Sequence, residues 1–299
     1  MSGLNQKAET KRLLIYLALA FALAWAVFFA FILTGHRWDG SNPKLESFLS
    51  SIGMLAPFLA HVLTRMITGE GFAMTGKDSM MMGISFKNKK WLFFLFALIV
   101  PWIYFEIGYA LNLLIYPEIF DPDGFRQLGI SKDMVVFIPM VFILQGTMSS
   151  FGAFGEEGGW RGYMMPKLMK LMGVKKAVLA GGIIWGLWHA PLTCVGHNYG
   201  TDYPGFPYLG IFIMCVTCTA IGITLTYITV KTGSVWPAAI MHAVNNANPS
   251  ILGVFTNVEK ANGVMANPIL SSVISCIPMV ILGIICFVLL CRDKEIKEM

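Results

Sequence analysis

Eight runs of apolar residues limit what this chain can fold into. They cover residues 13–34, 48–67, 91–116, 134–154, 177–195, 206–230, 235–255 and 269–291. Each is about as long as the roughly 20-residue helix that crosses a hydrocarbon core of about 30 Å. Lipid offers no partners to backbone N–H and C=O groups, so such runs must pair those groups internally as helices. The expected fold class is therefore all-α, a polytopic membrane protein of about eight transmembrane helices. Composition agrees: 56% of the 299 residues are apolar and 13% charged, and mean hydropathy is +0.66. A soluble domain carries about 25% charged residues.

The first run is too long for the core of a signal peptide, and Gly35, His36, Arg37 and Trp38 follow it without a small-residue cleavage pattern, so it is expected to stay as a membrane helix. All six cysteines lie in or at the end of apolar runs, where sulfur behaves as a small hydrophobe. Cys215 and Cys218 read as packing residues, and no disulfide framework is expected. With the N-terminus inside, inner segments hold 17 Lys and Arg and outer segments 5. This asymmetry predicts both termini in the cytosol, in a multi-pass protein of the cell membrane. Contact with anionic lipid accounts for the net charge of +5 and leaves nothing that calls for nucleic acid. With no long polar linker, residues 1–299 read as one transmembrane helical domain. The inner loop 68–90 is expected to lie at the membrane surface, and the outer loop 196–205 is polar and turn-rich.

Ionisable residues at membrane depth are costly, about 2.5–3.5 kcal/mol each by insertion scales, so each needs a reason. Snorkelling toward an interface accounts for His61 with Arg65, and for Glu106. His36 and His197 fall in outer loops and read as ordinary loop residues. Three other segments are different: Glu156, Glu157 and Arg161 end the fourth helix, just past its apolar run, Trp185 and His189 lie in the fifth run, and His242, Asn245 and Asn246 lie in the seventh. Their concentration points to one shared site. Side chains four apart on a helix share a face, which pairs Glu157 with Arg161, Trp185 with His189, and His242 with Asn246. Glu156 is left without a partner in its own helix, which favours it for chemistry. Gly155, Gly158, Gly159 and Gly162 allow close helix approach. At about 1.5 Å per residue, His242 comes out roughly 10 Å deep, His189 roughly 18 Å, and Glu156 near the inner surface. A cavity in the cytosolic half of the membrane is the expected site.

A carboxylate, two imidazoles and an amide around water are the parts needed to hydrolyse an amide bond. Glu156, His189 and His242 also form a ligand set that zinc hydrolases use, with one position left for water. Over residues 135–255 the three segments resemble the CAAX prenyl protease and bacteriocin-processing (CPBP, or Abi) family of intramembrane proteases. Its motifs are Glu-Glu-x-x-x-Arg, Phe-x-x-x-His and His-x-x-x-Asn, matched here by Glu156, Glu157 and Arg161, by Trp185 and His189, and by His242 and Asn246. The resemblance implies a catalytic core over 135–255 and a metalloprotease-like endopeptidase that cleaves a membrane-associated peptide or protein. In it Glu156 and His189 activate water, His242 and Asn246 stabilise the oxyanion, and Glu157, Arg161 and Trp185 support them. The motifs suit either Zn2+ or a metal-free glutamate mechanism. Trp185 departs from the family's Phe, a change expected to alter packing rather than mechanism. The alternative is a non-catalytic membrane protein, a transporter or a bacteriocin self-immunity factor, with the same residues as a ligand site.

Overall fold

The computed structural model describes residues 3–76, 78–257 and 268–293. Lys77, Lys260, Lys294 and Lys297, used in the charge count, lie outside them. The long helices are α1 (Gly3–Leu33), α2 (Pro43–Thr68) and α3 (Trp91–Ile115). After three 3-10 turns come α4 (Ile138–Met148), α5 (Ser150–Gly159), a π-helical turn (Trp160–Met164) and α6 (Met165–Trp188). A short α7 (Ala190–Thr193) leads to α8 (Tyr208–Thr232), α9 (Trp236–Ala247), the one-turn α10 (Ile251–Val254) and α11 (Pro268–Arg292). The chain is an all-helical polytopic membrane protein. Large apolar side chains such as Leu33, Met148, Phe151 and Tyr208 face outward, as they do where lipid is the solvent.

Among the described residues, six helices are long and apolar enough to cross a membrane. The fourth expected run breaks at Ser149 into α4 and α5. The seventh forms α9, which ends at Asn248 in the left-handed conformation, and the one-turn α10. Local chemistry sets other boundaries. Pro43 opens α2 and the Asn42 side chain accepts from the Leu45 N–H, while Gly69 closes it at φ 66°.

The main departure from expectation lies between the fourth and fifth runs. The helix does not end at Arg161 but continues to Gly173, whose φ of 74° and ψ of 161° reverse the chain. The two arms then pack side by side, so that a side chain on Gly181 would meet Met165 and Leu168. Met165 and Gly181 are equidistant from the turn, and so are Arg161 and Trp185, which stack. Glu156 and His189 follow the same register, each about 25 Å of helix from Gly173. The depth mismatch read from sequence therefore disappears, and Arg161 is a mid-helix residue rather than an inner-loop charge.

The inner loop also differs from expectation. Most of it is exposed, but it buries Ser79 and Met80, and a side chain on Gly162 would meet the Met80 carbonyl. Buried backbone must be paired. Arg65 does much of this by donating to the carbonyls of Gly71, Asp78 and Ser79 at 2.8–2.9 Å. Its Nε donates to His61 Nε2 at 2.6 Å, and His61 Nδ1 lies 2.8 Å from the Gly158 carbonyl. Both residues are buried and neither snorkels. Glu106 does not snorkel either. It accepts from Trp102 Nε1, from the Ser250 hydroxyl and from the N–H groups of Ile251 and Leu252 at the start of α10, a favourable place for an anion.

At the inner-loop end, Lys167 bridges Glu9 at 3.0 Å and Glu70 at 2.6 Å, tying α1 and the inner loop to α6. Burial raises the Glu70 carboxyl, but hydrogen bonds from Lys167 and Tyr163 outweigh it and hold the group at about 2. A depressed carboxylate contributes stability above its unfolded value, near 4.3, and that contribution is lost as pH falls through the folded value. The melting temperature of the detergent-solubilised protein is accordingly expected to fall from about pH 4.5 toward pH 2, and Glu70→Gln should flatten that fall. Impermeant thiol labelling on a cysteine-free background tests the orientation. Cysteines replacing Lys87, Lys89 or Lys90 are expected to be protected from outside, and those at Asn198 or Thr201 labelled.

Candidate active site

The three polar segments converge on a cavity of about 410 Å³ lined by Glu156, His189, His242, Asn245 and Asn246. Its wall also includes Phe28 from α1, Ser50 and Met54 from α2, and His197 and Asn198 from the loop after α7. That loop is at the opposite end from the Gly173 turn with its Lys175 and Lys176. The site lies beyond the middle of the bundle as measured from that turn, toward the 196–205 loop. Because the fourth helix continues past Arg161 to Gly173, Glu156 stands about a dozen residues farther from the turn than the sequence reading had placed it from its helix end.

Close backbone crossing brings the motif helix into place. Side chains on Gly155 and Gly159 would run into the backbone of Met54 and Pro57 on α2, so the α5–α2 contact depends on their absence. The π turn follows at once, a distortion that often marks functional sites because it re-aims side chains. Here it begins at Trp160, one turn after Glu156.

The two glutamates have different surroundings. Glu157 is fully buried and shared: Arg161 Nε lies 3.1 Å from Oε2, Arg161 Nη1 donates to Oε1 at 3.2 Å, and His242 Nδ1 is 2.8 Å from Oε1. The expected Glu157–Arg161 pair is present, and the His242 contact joins the first motif to the third. The Arg161 guanidinium also stacks 4.2 Å over the Trp185 ring.

Glu156 is buried too, but it is not without a partner in its own helix, as the sequence had implied. Trp160, one turn on, donates its indole N–H to Oε2 at 3.3 Å, and Trp185 donates to the same oxygen at 2.6 Å. No hydrogen bond to Oε1 is made among the described residues. Trp185 therefore does more than wedge the imidazole. A Phe here could pack in the same way but could not donate.

His189 Nδ1 lies 2.9 Å from the Trp185 carbonyl, which places the Nδ1 proton on that bond and leaves Nε2 as an acceptor. Asn245 and Asn246 both reach the cavity, and Tyr104 of α3 donates to Asn245 Oδ1. The sequence had singled out Asn246 for its spacing from His242 and had passed over the cavity role of Asn245, and it had missed Trp160 and His197. The Glu156-to-Trp160 spacing carried a readable signal. His197 carried none, because only the fold of its loop brings it to His189.

Among the described residues no three His, Cys, Asp or Glu side chains are placed to hold a metal ion. The Nδ1 atoms of His189 and His242 are engaged elsewhere, as is one oxygen of Glu156.

Residues 136–248 match the sequence model of a family described as Type II CAAX prenyl endopeptidase Rce1-like. Over 120 residues the chain is 31% identical to CAAX prenyl protease 2 of Methanococcus maripaludis, a match that covers 40% of this chain and 42% of that relative's length. Replacing Trp185 by Phe supplies the family's usual aromatic and removes one donor to Glu156. We expect Trp185→Phe to keep its melting temperature within a few degrees and to lose about tenfold in turnover, in line with one lost charge-assisted hydrogen bond of 1.5–3 kcal/mol. Residues 136–248, where all three motifs meet around one cavity, are similar to the Type II CAAX prenyl endopeptidase Rce1-like family.

Proposed function

We propose that the protein is an intramembrane endopeptidase that hydrolyses a peptide bond of a membrane-associated protein or peptide by a metal-free glutamate mechanism. One observation carries the reading. Glu156 has one oxygen held by two indole N–H groups and the other turned toward a polar cavity that His189 and His242 also line. A carboxylate fixed in this way has one oxygen free to act as a general base.

In this mechanism a water molecule lies between Glu156 Oε1 and His189 Nε2. Glu156 takes one proton as the water oxygen adds to the scissile carbonyl carbon. His242 donates its Nδ1 proton to Glu157, and its Nε2 proton meets the oxyanion together with the Asn246 amide. Charge balance supports a doubly protonated His242, since two carboxylates and one guanidinium otherwise leave one uncompensated negative charge in a buried cluster. Glu156 then passes its proton to the leaving nitrogen as the C–N bond breaks, giving a carboxylic acid and an amine, and the acid's remaining proton moves to the amine so that the products leave as carboxylate and ammonium. The bilayer supplies the second partner, because outward-facing apolar helices confine the enzyme and its substrate to the same plane. The related protein's name suggests prenylated C-terminal peptides as the first substrates to test.

A specific observation also supports the non-catalytic alternative. A second cavity of about 540 Å³ opens at the lysine-rich end, bounded by Asp78, Lys170 and Gly233, and it reaches Arg161. Two cavities that meet a charged layer from opposite ends are an arrangement a transporter could use.

The two readings separate on Glu156→Gln and Glu157→Gln in proteoliposomes supplied with a farnesylated reporter peptide. Glu156→Gln is expected to abolish cleavage, a loss of at least 10²-fold, with the melting temperature near that of the wild type. Glu157→Gln breaks a buried pair, at a cost of about 3–5 kcal/mol, and should lower the melting temperature sharply. His189→Ala and His242→Ala should each cost about 10²–10³-fold in rate. Activity should survive chelators. Cleavage that persists in Glu156→Gln refutes the mechanism, and stoichiometric zinc whose removal stops turnover refutes its metal-free form.

A further inference from the structure

His197 lies outside the three motifs, yet its ring stacks on His189 with centroids 6.3 Å apart and planes 14° from parallel. It lines the same cavity. Its backbone is held in place. His197 N–H donates to the Leu192 carbonyl at 3.0 Å, and Trp38 N–H donates to the Val195 carbonyl at 2.8 Å, so the first interhelical segment braces the loop. Gly196, at φ 103°, packs where a side chain would press on the Trp38 carbonyl. The Trp38 ring meets His197 edge-on at 4.7 Å. This is a fixed residue on a tight turn.

The two ring nitrogens have different environments. His197 Nδ1 is buried and has no hydrogen-bond partner among the described residues. A buried N–H without an acceptor is rarer and more costly than a lone pair without a donor. The proton therefore belongs on Nε2, on the side of the ring that opens to the cavity, where water or a ligand can accept from it. His189 shows the complementary tautomer, with Nδ1–H bonded to Trp185 and Nε2 open. The two stacked imidazoles thus present one acceptor and one donor to the cavity.

The spacing fits an extended peptide. Carbonyl groups on the same side of a strand recur every two residues, about 6.6–6.8 Å apart; the water on His189 attacks at the scissile carbonyl carbon, and the His197 ring lies 6.3 Å from the His189 ring, about one such repeat along the strand. We infer that His197 is a substrate-binding residue, its Nε2–H donating to a backbone carbonyl two residues from the scissile one and holding the substrate extended across Glu156. This rests on the endopeptidase reading for the position of the scissile bond. It goes beyond that reading by naming the conformation the substrate must adopt and the group that reads it.

The test compares His197→Phe, which keeps a flat ring against His189 but cannot donate, with His197→Gln, whose amide N–H approximates Nε2–H. Binding of a fluorescent farnesylated peptide is measured on a Glu156→Gln background, where turnover is not needed. His197→Phe should weaken binding about tenfold and His197→Gln should recover most of it. In the active protein the same change should raise KM about tenfold and leave kcat within twofold, the pattern of uniform binding. If the ring only propped up His189, Phe would substitute for it without loss and His197→Gln would be the variant that lowers kcat. Nitrogen-15 NMR of histidine-labelled protein should find the His197 proton on Nε2. No peptide binding, equal binding by the Phe variant, or a proton on Nδ1 overturns the inference. Histidine-dependent binding without cleavage by the wild type would leave it standing and refute the endopeptidase reading instead.

Discussion

The buried Glu157 carboxylate is the interaction on which the site depends. It lies in a helix that lipid would not accept with an unpaired charge, and it meets Arg161 on its own helix and His242 on α9. Removing a charge from water is costly by itself, and the cost falls only when partners occupy every direction from which water has been excluded. The arrangement therefore fixes α9 against α5, and with it the position of His242 across the cavity from Glu156. Trp185, with the guanidinium of Arg161 on its ring face and its N–H on Glu156, extends the same network to the other arm of the hairpin.

The inner loop supports this network from below. Arg65 holds its carbonyls, and the loop in turn receives the start of α9 through hydrogen bonds from Val235 N–H to Met81 and from the Trp236 indole to Met82. His61 carries the connection upward to the Gly158 carbonyl, next to Glu157. A basic residue that insertion scales count only as a cost is here the donor that allows a non-helical segment to enter the bundle. Non-helical backbone at membrane depth is tolerated when protein satisfies it.

The adjacent glutamates illustrate how similar residues acquire different roles. Glu157 faces ionic partners, with both hydrogen bonds on Oε1 and the Arg161 guanidinium beside Oε2. Glu156 faces neutral donors, both on one oxygen, and keeps the other free. Two indoles around a carboxylate provide hydrogen bonds without a compensating charge, so the group is oriented by one oxygen while the other makes no hydrogen bond among the described residues.

The sequence by itself determined the all-helical membrane character, the close crossing at Gly155 and Gly159, the Glu157–Arg161 pair and the membership of Glu156, His189 and His242 in one cavity. These follow from run length, from the period of the helix and from the cost of polar groups in lipid, all of which act locally. Only the tertiary structure decided where the cavity lies, that Trp185 and Trp160 hold Glu156, that His61, Arg65 and Glu106 are satisfied inside the protein, and that His197 belongs to the site. Each of these depends on the hairpin at Gly173 or on a loop that folds into the bundle. Hydropathy cannot distinguish a helix that ends from one that continues with lysines on its surface, because a residue such as Lys167 can be buried once Glu9 and Glu70 reach it from other parts of the chain.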